Sequence, residues 1–277
     1  MSESTPIRAQ TVDIGGGTEL YYEESGSGRP LVFVHGLWAS SRFFRPQLLG
    51  LSRSHRVIAL DLRGHGRSSM TPGGHTMPQY ARDLEAFLAR LRIERAIAIG
   101  WSMGAFVWWD YYRQFGADRI DGLVVIDQPP TDMRSPDFPN GLISVYTLRD
   151  WHEAVQMRRN DFMREVLPMM FGKPPAPDEA QWMCDEMMRA PPSIAAAVLV
   201  DQSFRDYRDV VRHCTIPTLV CSGRLSAQPP EGSRLIVETA PAARLEIFEH
   251  SGHSLFFEEP AKFNAVVEQF ASALVSG

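Results

Sequence analysis

The stretch Gly100-Trp101-Ser102-Met103-Gly104 restricts the fold of this chain more than any other. Residues 96–99 before it are a short apolar run suited to a buried parallel strand. Residues 105–114 after it carry aromatics at helical spacing, Phe106 and Trp109, with Tyr112 and Phe115 a turn on. A serine between two glycines on a sharp strand-to-helix turn is the pattern G-x-S-x-G. The turn is tight, so a Cβ at either glycine would collide with the neighbouring strand or helix. Ser102 is therefore expected in a strained backbone region, with Oγ directed out of the top of a sheet. The helix N-terminus beneath it offers unpaired N–H groups and partial positive charge, which suits a developing oxyanion. Taken alone, the pattern is also met as a glycine-rich turn with an incidental serine. The strand before it, the helix after it and the partners downstream distinguish this one.

The surrounding chain alternates in the same way. Runs at 8–14 and 19–24 flank Gly15-Gly16-Gly17 and predict an antiparallel hairpin at the start of the sheet. Strands are expected at 31–34, 56–60, 96–99, 120–126, 218–221 and 244–248, and helices at 43–51, 77–91 and 105–114, with a closing helix over 261–275. Residues 232–239 continue the alternation between the last two strands. Strands alternating with helices predict an α/β fold, a doubly wound, mostly parallel sheet. Ligands in such sheets lie beyond the carboxyl ends of the strands, where His35, Ser102 and Asp127 fall. The rhythm breaks at Gln128-Pro129-Pro130. From 128 to 213 only helical pieces are read, at 148–171, 177–189 and 192–204. This divides the chain into a core domain, 1–127 and 214–277, and an inserted helical cap domain, 128–213.

Serine is a poor nucleophile at neutral pH and needs an adjacent base. His253, in Ser251-Gly252-His253-Ser254 between the last strand and the closing helix, is the candidate, and His250 the nearby competitor. His35 and His65 lie in glycine-bearing turns, where bonding to the backbone is the expected role. The base needs a carboxylate to fix its tautomer and stabilise its imidazolium. The loop after the 218–221 strand contains no acid before Glu231, whereas Asp127 ends the 120–126 strand. Asp127 is preferred, with Glu231 as rival; read blandly, Asp127 caps the turn into the inserted helices. The order Ser102, Asp127, His253 agrees with Ser…Asp/Glu…His. Oxyanion donors are expected from the backbone N–H of Met103 and of Leu37, with Trp38 as the near alternative to Leu37.

Together these residues resemble the α/β-hydrolase superfamily over nearly the whole chain. The matches are His35-Gly36 after a strand, Asp61-Leu62-Arg63-Gly64-His65-Gly66-Arg67-Ser68, the turn Gly100 to Gly104, and Gly252-His253 followed by Glu258-Glu259-Pro260. The chain looks most like the small capped branch of esterases, lactonases and cofactor-free haloperoxidases. The superfamily usually carries its acid as Gly-x-x-Asp after the penultimate strand, a position that here falls on Ser226. Zearalenone-type lactone hydrolases and cofactor-independent 2,4-dioxygenases of N-heteroaromatic compounds instead carry it after the strand that follows the nucleophile, and Asp127 matches that placement.

Composition narrows the partners. A net charge of -5 argues against nucleic acid as the main partner. Cys184, Cys214 and Cys221 are odd in number and lack metal-type spacing, so neither a disulfide framework nor a metal site is expected, and reduced thiols fit a cytoplasmic protein. Residues 1–10 are polar and show no signal-peptide pattern, and no apolar run approaches the roughly 20 residues of a membrane span. No cofactor fingerprint is present. The chain is read as a monomer or homodimer. The inserted region is rich in Trp and Met, and Trp38, Trp101, Phe106, Trp151 and Trp182 are expected to contact a hydrophobic small-molecule substrate.

Three functions compete. The first is a serine hydrolase cleaving a hydrophobic carboxylic ester or lactone through an acyl-enzyme. The second is a cofactor-independent, non-hydrolytic enzyme of the 2,4-dioxygenase kind that uses the His253–Asp127 pair alone. The third is a ligand-binding receptor on the same frame.

Overall fold

The computed structural model describes residues 6–274. The start of the polar 1–10 stretch and Val275 of the expected closing helix lie outside the described residues. Eight strands form one sheet in the order β1-β2-β4-β3-β5-β6-β7-β8. They are β1 Arg8–Gly15, β2 Thr18–Ser25, β3 Pro30–Val34, β4 Arg56–Leu60, β5 Ala96–Trp101, β6 Ile120–Ile126, β7 Thr218–Gly223 and β8 Ala243–Phe248. The first two form the expected antiparallel hairpin, β2 pairs antiparallel with β4, and from β4 to β8 every pairing is parallel.

The central strands are continuous apolar runs because both their faces are covered. Side chains alternate across a strand. Leu31 and Phe33 of β3, with Ile97, Ile99 and Trp101 of β5, enter a layer shared with Leu48, Phe263 and Val267. Val32 and Val34, with Ala96 and Ala98, enter the opposite layer with Leu84, Phe87, Phe106 and Trp108. Each of the Val, Leu, Ile and Phe side chains among these, fully buried, contributes about 1.5–3 kcal/mol. The helix Met77–Arg90 starts where the Thr76 hydroxyl accepts from the Gln79 amide, and Pro78 in its first turn suits that position.

Two helical expectations change in detail. The single helix read at 43–51 is instead a 3-10 turn, Ser41–Phe44, followed by a short α-helix, Arg45–Gly50, with Pro46 in its first turn. The single piece read at 148–171 is three: Val145–Met157, Arg159–Val166 and a 3-10 turn, Leu167–Met170. The Ser144 hydroxyl caps the first through the Thr147 amide, which moves the start earlier. Arg158, at φ -143° and ψ 39°, breaks the helix, and Pro168 lacks the N–H that a longer one would need. The helices Pro177–Met187, Pro192–Ser203 and Arg208–His213 complete the segment between β6 and β7. Among the described residues, no helix is long and apolar enough to cross a membrane.

The strand order reverses beside β3: the chain proceeds from β3 to β4 on one side and returns to β5 on the other. A crevice therefore opens beyond the carboxyl ends of β3 and β5. Leu37 follows one end and Ser102 the other.

Candidate active site

The turn after β5 has the geometry that its glycines require. Ser102 sits at φ 53° and ψ -121°, and the helix Met103–Phe115 begins at the next residue. A Cβ on Gly104 would lie 2.1 Å from the Val34 carbonyl oxygen, and one on Gly100 would lie 2.5 Å from the Ala105 amide nitrogen. Neither contact is tolerable, and backbone on both sides prevents relief. Gly104→Ala is accordingly expected to destabilise the fold by at least about 3 kcal/mol, beyond ordinary overpacking. Urea unfolding of the variant beside the parent measures this, and a loss below 1 kcal/mol, on the order of a tolerated surface change, would contradict it.

Five described residues other than glycine have positive φ, and three of them ring this crevice: Trp38 at 62°, Ser102 at 53° and Asp127 at 49°. Such conformations cost about 1–3 kcal/mol each and persist where surrounding structure imposes them. Leu37, Trp38, Trp101, Ser102 and His253 line one cavity. The loop after β3 abuts the serine closely, since a Cβ on Gly36 would come within 3.1 Å of the Ser102 Cβ. Met103 opens its helix, so its N–H has no acceptor one turn back.

Asp127 is fully buried at the end of β6 and lies 2.7 Å from His253, Oδ2 to Nδ1. An ionised carboxylate only accepts, so Nδ1 carries the proton and Nε2 keeps its lone pair. Three other donors converge on Asp127: the Gly223 amide at 2.9 Å, the Ser222 hydroxyl at 3.2 Å and the Ser226 hydroxyl at 2.5 Å. Ser226, which stands where the superfamily usually has its acid, is thus a hydrogen-bond donor to the Asp127 carboxylate at the end of the neighbouring strand. Glu231 is exposed in the first turn of the helix Pro230–Thr239, and His250 is exposed as well.

His253 is held from several sides. The Trp101 indole N–H donates to the His253 carbonyl at 3.0 Å, and the two rings lie 5.6 Å apart. The Ser254 amide donates to the Met170 carbonyl at 2.8 Å, and the Glu258 carboxylate accepts from the Gly252 and Gly172 amides, each at 2.8 Å. Burial raises the Glu258 carboxyl above its ordinary value, against those amide bonds. The histidine loop and the Leu167–Met170 turn of the inserted segment are therefore fastened together.

His35 and His65 have the backbone roles expected of them. His35 accepts from the Leu62 amide at Nε2, 3.1 Å, so Nδ1 donates to the Gly36 carbonyl at 2.8 Å. Its complete burial pushes its pKa down to about 4, which keeps the ring neutral. His65 bonds the Arg63 carbonyl at 3.1 Å, and burial likewise drives its pKa well below the ordinary value.

Three of the five aromatic residues expected around a substrate, Trp38, Trp101 and Trp151, line the cavity. The other two lie elsewhere. Phe106 is carried by the helical twist onto the far face of the sheet, against Trp109 and Tyr207 at 5.7 and 5.1 Å between centroids. Trp182 packs against Phe43 at 5.1 Å beneath the Arg42 guanidinium. Sequence reasoning missed Asp132, Gln202 and Gln228, which also line the cavity; no local pattern marks them, because they meet from three separate segments.

Glu186, only 3% exposed, ties the helix Pro177–Met187 to the loops after β3 and β4. It accepts from the Ser40 hydroxyl at 2.6 Å and from both terminal nitrogens of Arg67 at 3.1 and 3.0 Å. These charged bonds hold its carboxyl below the ordinary range against the penalty of burial. Ser40 lies three residues past Leu37, so the anchor also braces the loop after β3. Glu186→Ala would leave the Ser40 hydroxyl and the Arg67 guanidinium without their acceptor. We expect a loss of about 2–4 kcal/mol, measured by urea unfolding, whereas a change under 0.5 kcal/mol, about that of a neutral surface substitution, would refute the anchoring role.

A serine on a strand-to-helix turn, at the switch point of a mostly parallel sheet, is the architecture of the α/β hydrolases. The chain belongs to the alpha/beta hydrolase family, whose model matches residues 31–266, within its esterase and haloperoxidase-like branch. It is 32% identical over 249 residues to a non-heme haloperoxidase of Rhodococcus erythropolis, covering 86% of this chain and 90% of that one. The bromoperoxidase from Bacillus anthracis is similar in structure, with a TM-score of 0.91 and 27% identity over 96% of this chain and 100% of that one. A thermophilic esterase from Thermogutta terrifontis gives a TM-score of 0.83 and 26% identity over 96% of this chain and 99% of that one.

Proposed function

We propose that this protein is a serine hydrolase that cleaves a hydrophobic carboxylic ester or lactone through an acyl-enzyme. One observation carries the reading. Ser102, forced into a left-handed conformation on its turn, shares a cavity with a histidine whose far nitrogen is held 2.7 Å from a buried carboxylate. In the proposed reaction Ser102 Oγ attacks the carbonyl carbon while His253 Nε2 takes the hydroxyl proton. The Leu37 and Met103 amides receive the oxyanion, each worth about 3 kcal/mol to the transition state. Collapse of the tetrahedral intermediate expels the alcohol, which takes its proton from His253. Water, deprotonated by the same nitrogen, then releases the acid and restores Ser102. Asp127 fixes the tautomer that makes each transfer possible and stabilises the imidazolium. The Trp and Met side chains of the cavity favour an apolar substrate and limit entry of bulk water.

A fluorophosphonate probe tests this directly: it should label Ser102 in the parent protein and leave Ser102→Ala unlabelled. A parent that stays unlabelled and hydrolyses no ester or lactone would overturn the proposal. The placement of Asp127 after β6 favours a second reading, with which the haloperoxidase names of several relatives are compatible, in which the His253–Asp127 pair acts as a base without the serine. Substrate turnover would then consume O2 and survive in Ser102→Ala but not in His253→Ala.

A further inference from the structure

The residues lining the cavity over Ser102 differ in how much solvent they meet. Among the described residues that line it, Met169, 52% exposed, and Ala227 are exposed, and every other is buried or half-buried. Met169 belongs to the 3-10 turn Leu167–Met170, and Ala227 lies in the loop after β7. Leu225, in the same loop, is also 52% exposed and abuts the inserted segment: a Cβ on Gly172 would lie 2.9 Å from its Cδ1. All three exposed side chains are apolar.

Both segments are tied to the histidine loop. The Met170 carbonyl accepts from the Ser254 amide at 2.8 Å, and the Leu225 amide donates to the Ser251 carbonyl at 3.0 Å. The Ser226 hydroxyl, next to Ala227, shares the Asp127 oxygen Oδ2 with His253 Nδ1. Strand order separates this region from the oxyanion loop. β5, which leads into Ser102, lies between β3 on one side and β6, β7 and β8 on the other. Leu37 and Trp38 follow β3, whereas Asp127, Ala227 and His253 follow β6, β7 and β8. Trp38, 2% exposed, stands 6.0 Å from the buried Phe162 ring, which stands 5.8 Å from Trp151. A cluster of sheltered aromatic rings therefore belongs with the oxyanion loop.

Acyl transfer gives the two sides different work. The leaving oxygen of an ester must come within hydrogen-bond reach of His253 Nε2, which protonates it, while the carbonyl oxygen turns to the Leu37 and Met103 amides. The alcohol portion is then directed to the side of β7 and β8, where the exposed lining residues stand. We infer that the cavity opens between Met169 and Ala227, that an apolar alcohol portion of the substrate passes between them, and that these two residues set which alcohols are accepted. The inference deepens the hydrolase reading and rests on it, since that chemistry gives the leaving oxygen to His253. A bulkier side chain at either position obstructs the alcohol portion and spares the acid portion.

Two isomeric esters separate the portions: hexyl acetate carries its chain on the alcohol, and methyl heptanoate carries it on the acid. The ratio of their kcat/KM values, hexyl acetate over methyl heptanoate, should fall at least about 10-fold in Ala227→Phe and in Met169→Trp, the effect of a misfitted apolar group. A general loss of folded protein lowers both esters together and cancels in the ratio. A smaller fall in either variant, or a ratio that rises because methyl heptanoate suffers more, overturns the inference; a parent that still labels with the fluorophosphonate and turns over both esters then leaves the hydrolase reading standing. A parent that hydrolyses neither ester and escapes the fluorophosphonate overturns the hydrolase reading and this inference with it.

Discussion

Alanine at position 102 is expected to abolish fluorophosphonate labelling and to lower kcat for ester hydrolysis by about 10^4- to 10^6-fold. The size follows from the proposed chemistry. Removing the hydroxyl removes the covalent route, and what survives comes from the oxyanion amides and from binding. Those amides belong to the backbone of Leu37 and Met103 and remain in the variant. Substrate binding should therefore persist, with KM changed far less than kcat. The variant should also fold as the parent does, since alanine is smaller and meets no new contact at a site where Ser102 is almost fully buried. A Ser102→Ala protein that keeps a tenth or more of the parent's activity, about 1.4 kcal/mol of barrier at most, would remove the acyl-enzyme reading and favour the His253–Asp127 pair as the sole machinery.

The second large effect concerns the acid. Asp127→Asn is expected to cost about 10^4 in kcat, because an amide facing His253 can donate to Nδ1 and so put the proton on Nε2, where the lone pair is needed. Thermal melting controls for structure, since Asp127 also accepts from the Gly223 amide and from two serine hydroxyls. Asparagine keeps one acceptor oxygen for them, and a loss of about 1–3 kcal/mol is expected alongside the kinetic one. Glu231→Gln is the matched control. Its side chain stands exposed on the Pro230–Thr239 helix, so kcat/KM should stay within about 2-fold of the parent. Equal losses in the two variants, or a larger one at Glu231, would overturn the assignment of Asp127.

Relatives named as haloperoxidases and an esterase of similar structure share this frame, and a frame does not select a reaction. In the proposed reading the selection falls to the loops past β3, β5 and β6 and to the helices between β6 and β7. Hence both large predictions concern single atoms at strand ends, whereas Gly104→Ala and Glu186→Ala probe the support beneath and above those atoms.

The one-dimensional pattern of this chain determined its strands, its sharp turn at Ser102 and the candidates at 127 and 253. Those features obey local rules: period two in strands, period 3.6 in helices, and glycine where a Cβ has no room. The preference for Asp127 over Glu231 was also open to such reading, because one loop lacks a nearby acid. The breaks after Met157 and Val166 were not, since a run of apolar residues reads as helix on either side of them. Phe106 and Trp182 escaped for a related reason: aromatic composition counts side chains but does not say which face of the sheet they reach. Only the tertiary structure brought His253 to Asp127 from 126 positions away, set Ser226 as a donor to that carboxylate, and brought Asp132, Gln202 and Gln228 to the lining of one cavity. Contacts of that kind depend on strand order and on how the inserted helices pack above the sheet, and neither is encoded within the reach of a single turn or strand.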